Sequence, residues 1–149
     1  MVQNTANFYH TEDIVVKPEN RLKPLYIKKC GRKGLGVFCS EDIKKDSIIE
    51  ICPIIFIPEQ QANVIDQTIL RDYYYYWYDG TGEHIAITLG YGSLYNHSYN
   101  PNAIYCKDYK RRVVEIKAIK DIPANTEITV NYNGDPNCKD PVWFGEVLD

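Results

Sequence analysis

Short strand-like runs recur along the whole chain, and they confine it to a mainly β architecture. Leu25–Lys29, Ser47–Ile57, Tyr73–Tyr78, His84–Leu89, Ala103–Lys107, Val113–Lys117 and Glu127–Val130 carry the β-branched and aromatic residues that suit a pleated, half-buried surface. Gly31–Phe38 is punctuated by glycine and ends in Val37 and Phe38, so with Leu25–Lys29 it reads as a hairpin. Ser47–Ile57 is rich in isoleucine but contains Pro53. Proline has no N–H for a central ladder, so this run is expected at an edge or a bulge. Asp79-Gly80 and Asp121–Asn125 are turn signals. Only Glu59–Asp72 has helical character, and it is short and weakly patterned.

A chain of 149 residues with 44% hydrophobic and 25% charged residues is read as one domain, too apolar for intrinsic disorder. The net charge is −3, and the densest basic run, Lys107–Arg112, is broken by Asp108 and Tyr109. A duplex binder carries a basic stripe, so no direct nucleic-acid partner is expected, whereas a mildly acidic surface suits a cationic peptide. The five cysteines, Cys30, Cys39, Cys52, Cys106 and Cys138, are odd in number and form no Cys-x-x-Cys pair. No disulfide framework and no metal site are expected from them, which fits a reducing compartment. Met1–Pro24 has no apolar signal core, and the longest apolar run, Ile51–Ile57, is far shorter than the ~20 residues of a membrane span. The expectation is an intracellular protein of cytoplasm or nucleus, away from membranes.

Of 19 aromatic residues, 13 are tyrosine. Such rings pack through their faces and bond through their hydroxyls, which suits half-buried strands, interfaces and polar-tipped pockets alike. Alternate residues of a strand face opposite ways, so at most half of the Tyr73–Tyr78 rings are expected in any one pocket. Packing or self-association to a homodimer is an equal use for them.

Three segments carry the chemistry through their order. Lys33-Gly34-Leu35-Gly36-Val37-Phe38 lets backbone approach a ligand closely, although alone it reads first as a hairpin turn. No third glycine and no helix follow it, so it is not a dinucleotide fingerprint. Asn96-His97-Ser98-Tyr99-Asn100-Pro101-Asn102 crowds polar side chains into seven positions. Glu127-Ile128-Thr129-Val130-Asn131-Tyr132 is a strand that stops in a polar turn.

In this order the three resemble the SET domain, the catalytic module of protein lysine methyltransferases. That family has a glycine-containing first motif, an Asn-His-Ser-x-x-Pro-Asn motif and a C-terminal Glu-Leu-Thr-x-x-Tyr motif. Asn96–Asn102 matches the second throughout, and Glu127–Tyr132 matches the third except at Ile128. The resemblance implies a β-clip fold of several small sheets with few short helices and a knot-like threaded C-terminal segment. It divides the chain into an N-terminal extension (1–24), a SET domain (25–132) and a zinc-free C-terminal lid (133–149).

The resemblance also implies the chemistry. S-adenosylmethionine would be bound by Lys33, Gly34, Leu35, Gly36, Asn96, His97, Tyr132 and Trp143. The lysine of a protein or peptide substrate, a histone among the candidates, would enter a channel walled by Tyr91, Tyr105 and Val130. Tyr132 and Tyr105 would be the catalytic pair. Small Val130 together with Tyr105 resembles the subgroup in which the latter hydroxyl limits methylation to low order. Many members carry Tyr-x-Gly after the glutamate matched by Glu50, but here Ile51-Cys52-Pro53 follows, so a channel wall must come from Tyr73–Tyr78 or Tyr91. Cys138 is the only cysteine after Tyr132, so the zinc-binding post-SET cluster of many members is missing from this sequence. Two rival classes are a catalytically silent SET-like lysine-peptide binding module and a tyrosine-rich interaction domain without cofactor.

Overall fold

A computed structural model describes residues 23–145, and among these two sheets divide the strands. In chain order the strands are β1 (Leu25–Lys29), β2 (Leu35–Cys39), β3 (Ile48–Ile57), β4 (Tyr74–Tyr78), β5 (Glu83–Thr88), β6 (Asn96–His97), β7 (Ala103–Asp108), β8 (Val113–Ala118) and β9 (Glu127–Val130). One α-helix, α1 (Glu59–Ile65), lies among the described residues. The smaller sheet has the order β1-β2-β9-β6 and the larger β4-β5-β3-β8-β7. The expected N-terminal extension falls almost wholly outside the described residues, as do the last four residues of the expected lid.

β3 is the centre of the larger sheet, so of the edge or bulge expected for this run the edge is not found. It pairs with β8 along Ile48–Pro53 and with β5 along Ile54–Ile57. Pro53 stands at the handover, where its missing N–H interrupts neither ladder, and its carbonyl accepts from Leu89 N–H at 2.7 Å. The irregularity of β3 lies between Ile48 and Glu50 instead.

The helical stretch is shorter than expected and is broken in two. Glu59 N–H, an orphan donor of the first turn of α1, is met by His84 Nδ1 at 3.1 Å. Thr68 then restarts the chain as a 3-10 turn, Ile69–Tyr73, its hydroxyl accepting from Leu70 N–H at 3.2 Å. Tyr73 therefore belongs to this turn and not to β4.

β4 alternates as a strand must. Trp77 is wholly buried, whereas Tyr76 and Tyr78 stack on one another at 5.9 Å on the exposed face of this edge strand. The core beneath joins both sheets through Val37, Ile49, Trp77, Tyr95, Ile116, Ile128 and Val130.

The smaller sheet brings the distant motifs together. β9 lies between β2, antiparallel (Val37 opposite Ile128), and β6, parallel (Asn96 opposite Thr129). Two residues are a minimal strand, and Asn102 extends the pairing with its side chain. Its amide donates to Glu127 O at 2.8 Å and accepts from Thr129 N–H at 2.9 Å, imitating a ladder where no strand continues.

Candidate active site at the junction of two cavities

Tyr132 follows β9, and each polar group it carries has a partner. Its N–H donates to His97 Nδ1 (3.0 Å), its carbonyl accepts from the Tyr105 hydroxyl (3.0 Å), and its hydroxyl donates to the Tyr95 carbonyl (3.0 Å). Accepting at Nδ1 makes His97 a neutral imidazole with its proton on Nε2. Burial, reinforced by Tyr73 and Glu127, pushes the Tyr132 hydroxyl up to about 12. Burial likewise raises Tyr105 and holds Tyr75 and Tyr95 well above the ordinary tyrosine value.

Those shifts set a limit on alkaline stability. The unfolded chain releases tyrosine protons near pH 10, whereas Tyr132 keeps its proton to about 12. Between these values the unfolded state binds fewer protons, so folding stability present below pH 10 falls as pH rises, by up to about 1.4 kcal/mol per pH unit for each such group. Urea unfolding at pH 8 and at pH 11 is expected to show a lower midpoint at the higher pH. An unchanged midpoint would contradict the buried, protonated tyrosines.

Two cavities meet at this residue. One, of about 460 Å³, is lined by Arg32, Lys33, Gly34, Leu35, Leu94, Asn96, His97 and Phe144. The other, of about 170 Å³, is lined by Arg71, Tyr74, Tyr75, Tyr76, Tyr95, Tyr105 and Lys107. Asp72, Tyr73, Ser93, Tyr132 and Trp143 border both. The larger therefore joins exposed backbone, polar side chains and aromatic rings, and the smaller is a slot whose walls are mostly tyrosine.

The first motif supplies one wall of the larger cavity, and its two glycines serve different ends. Gly34 has φ +83° with open space around it, so the dihedral alone requires glycine there. Gly36 is required by contact. A Cβ there would lie 2.5 Å from Glu127 Oε1, 2.6 Å from Cys30 Sγ and 2.9 Å from Asn96 Nδ2. Gly36 does not line the cavity itself; its lack of a side chain makes room for Asn96, which does. The Asn96 amide nitrogen donates to Leu35 O (3.1 Å) and Glu127 Oε1 (2.7 Å). Its carbonyl oxygen is thus the end that can accept from a ligand.

The C-terminal segment closes the site. Trp143 stacks on Tyr132 at 5.5 Å with ring planes 14° apart, and Phe144 meets the Tyr132 ring edgewise at 6.1 Å. Below them, Tyr99 hydroxyl donates to Asp140 O at 3.0 Å, and Lys139 Nζ donates to Tyr99 O, tying this segment to the loop after β6.

Of the sequence-predicted residues, the structure gathers Lys33, Gly34, Leu35, Asn96, His97, Tyr132 and Trp143 around the larger cavity and Tyr105 and Tyr132 around the smaller. Tyr91 and Val130 line neither. Tyr91 gives its N–H to Glu50 Oε1 at 3.1 Å with its ring against the core, and Val130 is fully buried within that core. The missing wall comes from the tyrosine run. Tyr73 to Tyr76 all border the slot, more than the alternation rule allows, because Tyr73 sits in a turn and β4 has a free edge. Tyr75 meets Tyr105 edgewise at 5.0 Å and donates to Gly92 O at 2.8 Å.

Asp72, Ser93 and Phe144 were not singled out from the sequence. They have no motif of their own, and Phe144 stands out only by adjoining Trp143. Among the described residues no group of three or more His, Cys, Asp or Glu is arranged to hold a metal ion, and no helix is long and apolar enough to cross a membrane.

The SET domain family profile matches residues 34–133. The chain is 32% identical over 122 residues to a Schizosaccharomyces pombe histone-lysine N-methyltransferase, H3 lysine-37 specific, across 81% of this chain and 77% of the relative. It is 33% identical over 125 residues to a Plasmodium falciparum variant-silencing SET domain-containing protein, of which it spans only 5%. Among solved structures, a Plasmodium falciparum protein provisionally described as a histone methyltransferase superposes with TM-score 0.58 at 39% identity, over 74% of this chain and 93% of that one. A structure solved to explain product specificity of histone lysine methyltransferases gives TM-score 0.67 over 84% of this chain and 57% of its own. At 23% identity that second likeness is one of fold.

Proposed function

Since the chain belongs to the SET-domain family and is a protein-lysine N-methyltransferase, we propose that its larger cavity binds S-adenosylmethionine and its tyrosine slot admits the lysine of a protein substrate. The observation that carries this reading is that the two cavities meet, with Tyr132 among the five residues that border both. A transfer between two ligands needs such a junction, because most of what protein can supply is alignment of the reacting atoms.

The residues fit the cofactor. A nucleoside with a charged amino-acid tail calls for backbone that can approach closely, an amide acceptor and an aromatic cover. The strip Lys33–Leu35, the Asn96 carbonyl and Trp143 with Phe144 offer these around about 460 Å³. When bound, S-adenosylmethionine supplies a methyl group activated by its sulfonium.

The chain's own residues do the rest. A lysine amine attacks only when neutral, and its free pKa is ~10.4. Burial lowers Lys107 on the slot's wall, and the same low-dielectric surroundings disfavour an ammonium inside the slot. Tyr132 is protonated at neutral pH, so it is not the base that takes the amine's proton. That proton leaves to water as the side chain sheds solvent. The Tyr132 hydroxyl, donating to Tyr95 O, retains acceptor capacity with which to orient an amine hydrogen. Edge-to-face rings of Tyr75 and Tyr105 flank the alkyl stem and exclude water.

A histone is the favoured substrate class because the Schizosaccharomyces pombe relative is named for one. We place the activity in cytoplasm or nucleus. Low-order methylation follows from the Tyr105 hydroxyl, tied to Tyr132 O at 3.0 Å and narrowing the slot. Tyr105→Phe is expected to shift product toward higher methylation by severalfold in mass spectra of a methylated peptide. Trimethylated product from the unmodified enzyme would refute this restriction.

Transfer of radiolabelled methyl from S-adenosylmethionine to proteins of a cell lysate, and to core histones, tests the function. Labelling is expected and should disappear with Tyr132→Phe. Cofactor binding at 100-fold over Kd, which adds ~2.7 kcal/mol of stability, without transfer to any protein would favour the silent binding module.

A further inference from the structure

Asp72 was absent from the residues expected at the site, yet it borders both cavities. Its Oδ1 accepts from the Trp143 indole N–H at 3.1 Å. That bond joins two segments of unlike attachment. The 3-10 turn carrying Asp72 is pinned on both sides: Thr68 caps its start, and the carbonyl of Tyr73 at its end accepts from Ser93 Oγ at 2.7 Å. Just beyond the turn, the Tyr74 hydroxyl donates to Asp66 Oδ1 at 2.9 Å.

The segment carrying Trp143 is attached more lightly. Val142 is its buried anchor, whereas Trp143 is 54% exposed and Phe144 46% exposed. A ring so exposed would sample several orientations unless something outside its own segment fixed it. The parallel stack on Tyr132 fixes the plane of the indole, and the Asp72 bond fixes its rotation within that plane. Neither contact alone does both.

Resting on the cofactor and lysine cavities assigned above, we propose that Asp72 is a positioning residue. It latches the aromatic lid of the cofactor cavity to the wall of the lysine slot. The wall is the fixed post and Trp143 the moving part. Closing the lid over the cofactor then also completes the rim of the slot, since Trp143 borders both spaces. The partner must be an acceptor, as the Asp72 carboxylate is, because the indole nitrogen only donates.

Two measurements test this. The chain has two tryptophans, so an amide NMR spectrum of the 15N-labelled protein without ligand shows two indole N–H signals, and Trp143→Phe identifies which is which. Asp72→Ala is expected to move the Trp143 signal and leave that of buried Trp77 in place. In cofactor titrations, Asp72→Ala and Trp143→Phe, which keeps a ring but loses the donor, are each expected to weaken S-adenosylmethionine binding about fivefold. The double variant should be no weaker than Trp143→Phe alone, because Asp72→Ala acts only through the bond that Trp143→Phe already removes. Independent effects, multiplying to about 25-fold, would overturn the latch. So would an unmoved indole signal with normal cofactor binding by the wild type. A wild-type protein that fails to bind the cofactor overturns the cavity assignment instead, whatever the indole signal does.

Discussion

Tyr132→Phe is expected to lower kcat by about 100-fold or more while leaving the chain folded. The change removes one oxygen and nothing else. The ring that borders both cavities stays, as do the bonds of its N–H to His97 and of its carbonyl to Tyr105. What disappears is the hydroxyl held by Tyr95 O at 3.0 Å. Loss of one neutral hydrogen bond costs about 1 kcal/mol of stability, a small part of a domain's usual 5–15. Misplacing an attacking atom by about 1 Å costs about 100-fold in rate. Activity and stability should therefore separate. Steady-state kinetics beside a urea melt reads both, and a variant retaining near-normal kcat would remove Tyr132 from the chemistry.

Glu50→Ala should act the other way, through the fold first. Glu50 is 2% exposed, and its two oxygens serve different partners: Oε1 accepts from Tyr91 N–H at 3.1 Å and Oε2 from the Tyr95 hydroxyl at 2.8 Å. Removing the carboxylate leaves buried donors without acceptors, at about 1–3 kcal/mol each. A loss of about 3 kcal/mol or more in urea unfolding is expected. The same residue supports the site at one remove, because Tyr95 is the residue whose carbonyl receives the Tyr132 hydroxyl. Glu50→Gln keeps one acceptor and should fall between wild type and alanine. If alanine proved as stable as wild type, the buried carboxylate would not be an organising group.

Much of this was legible in the sequence, because local pattern and motif order are local properties. Eight strand runs and the hairpin of β1 and β2 lie in residue type and spacing, and the meeting of the Asn96–Asn102 and Glu127–Tyr132 segments follows from the family resemblance of their motifs. What was not legible depends on which strands become neighbours. Pro53 reads as an edge residue until two different partners are seen to share β3 end to end. That Asn96 and Glu127 pack against Gly36 is not visible from its motif. Nor does the motif show that Glu50, 41 residues away, holds the backbone of Tyr91. Asp72 is an ordinary exposed acid in sequence, and only a tryptophan 71 residues distant gives it a role.

The placing of β9 between β2 and β6 also dictates an order of assembly. Parallel partners cannot be joined by a tight turn, so the whole excursion through β7 and β8 must be traversed before Asn96 finds Thr129. On the ribosome, β1 and β2 can form their hairpin early, but the inner edge of β2 stays unpaired until residues beyond 126 have emerged. Contacts this distant in sequence form slowly. The smaller sheet is therefore the last to close, and a nascent chain halted short of Glu127 has most of its strands but lacks Tyr132 and Trp143, two of the rings that border both cavities.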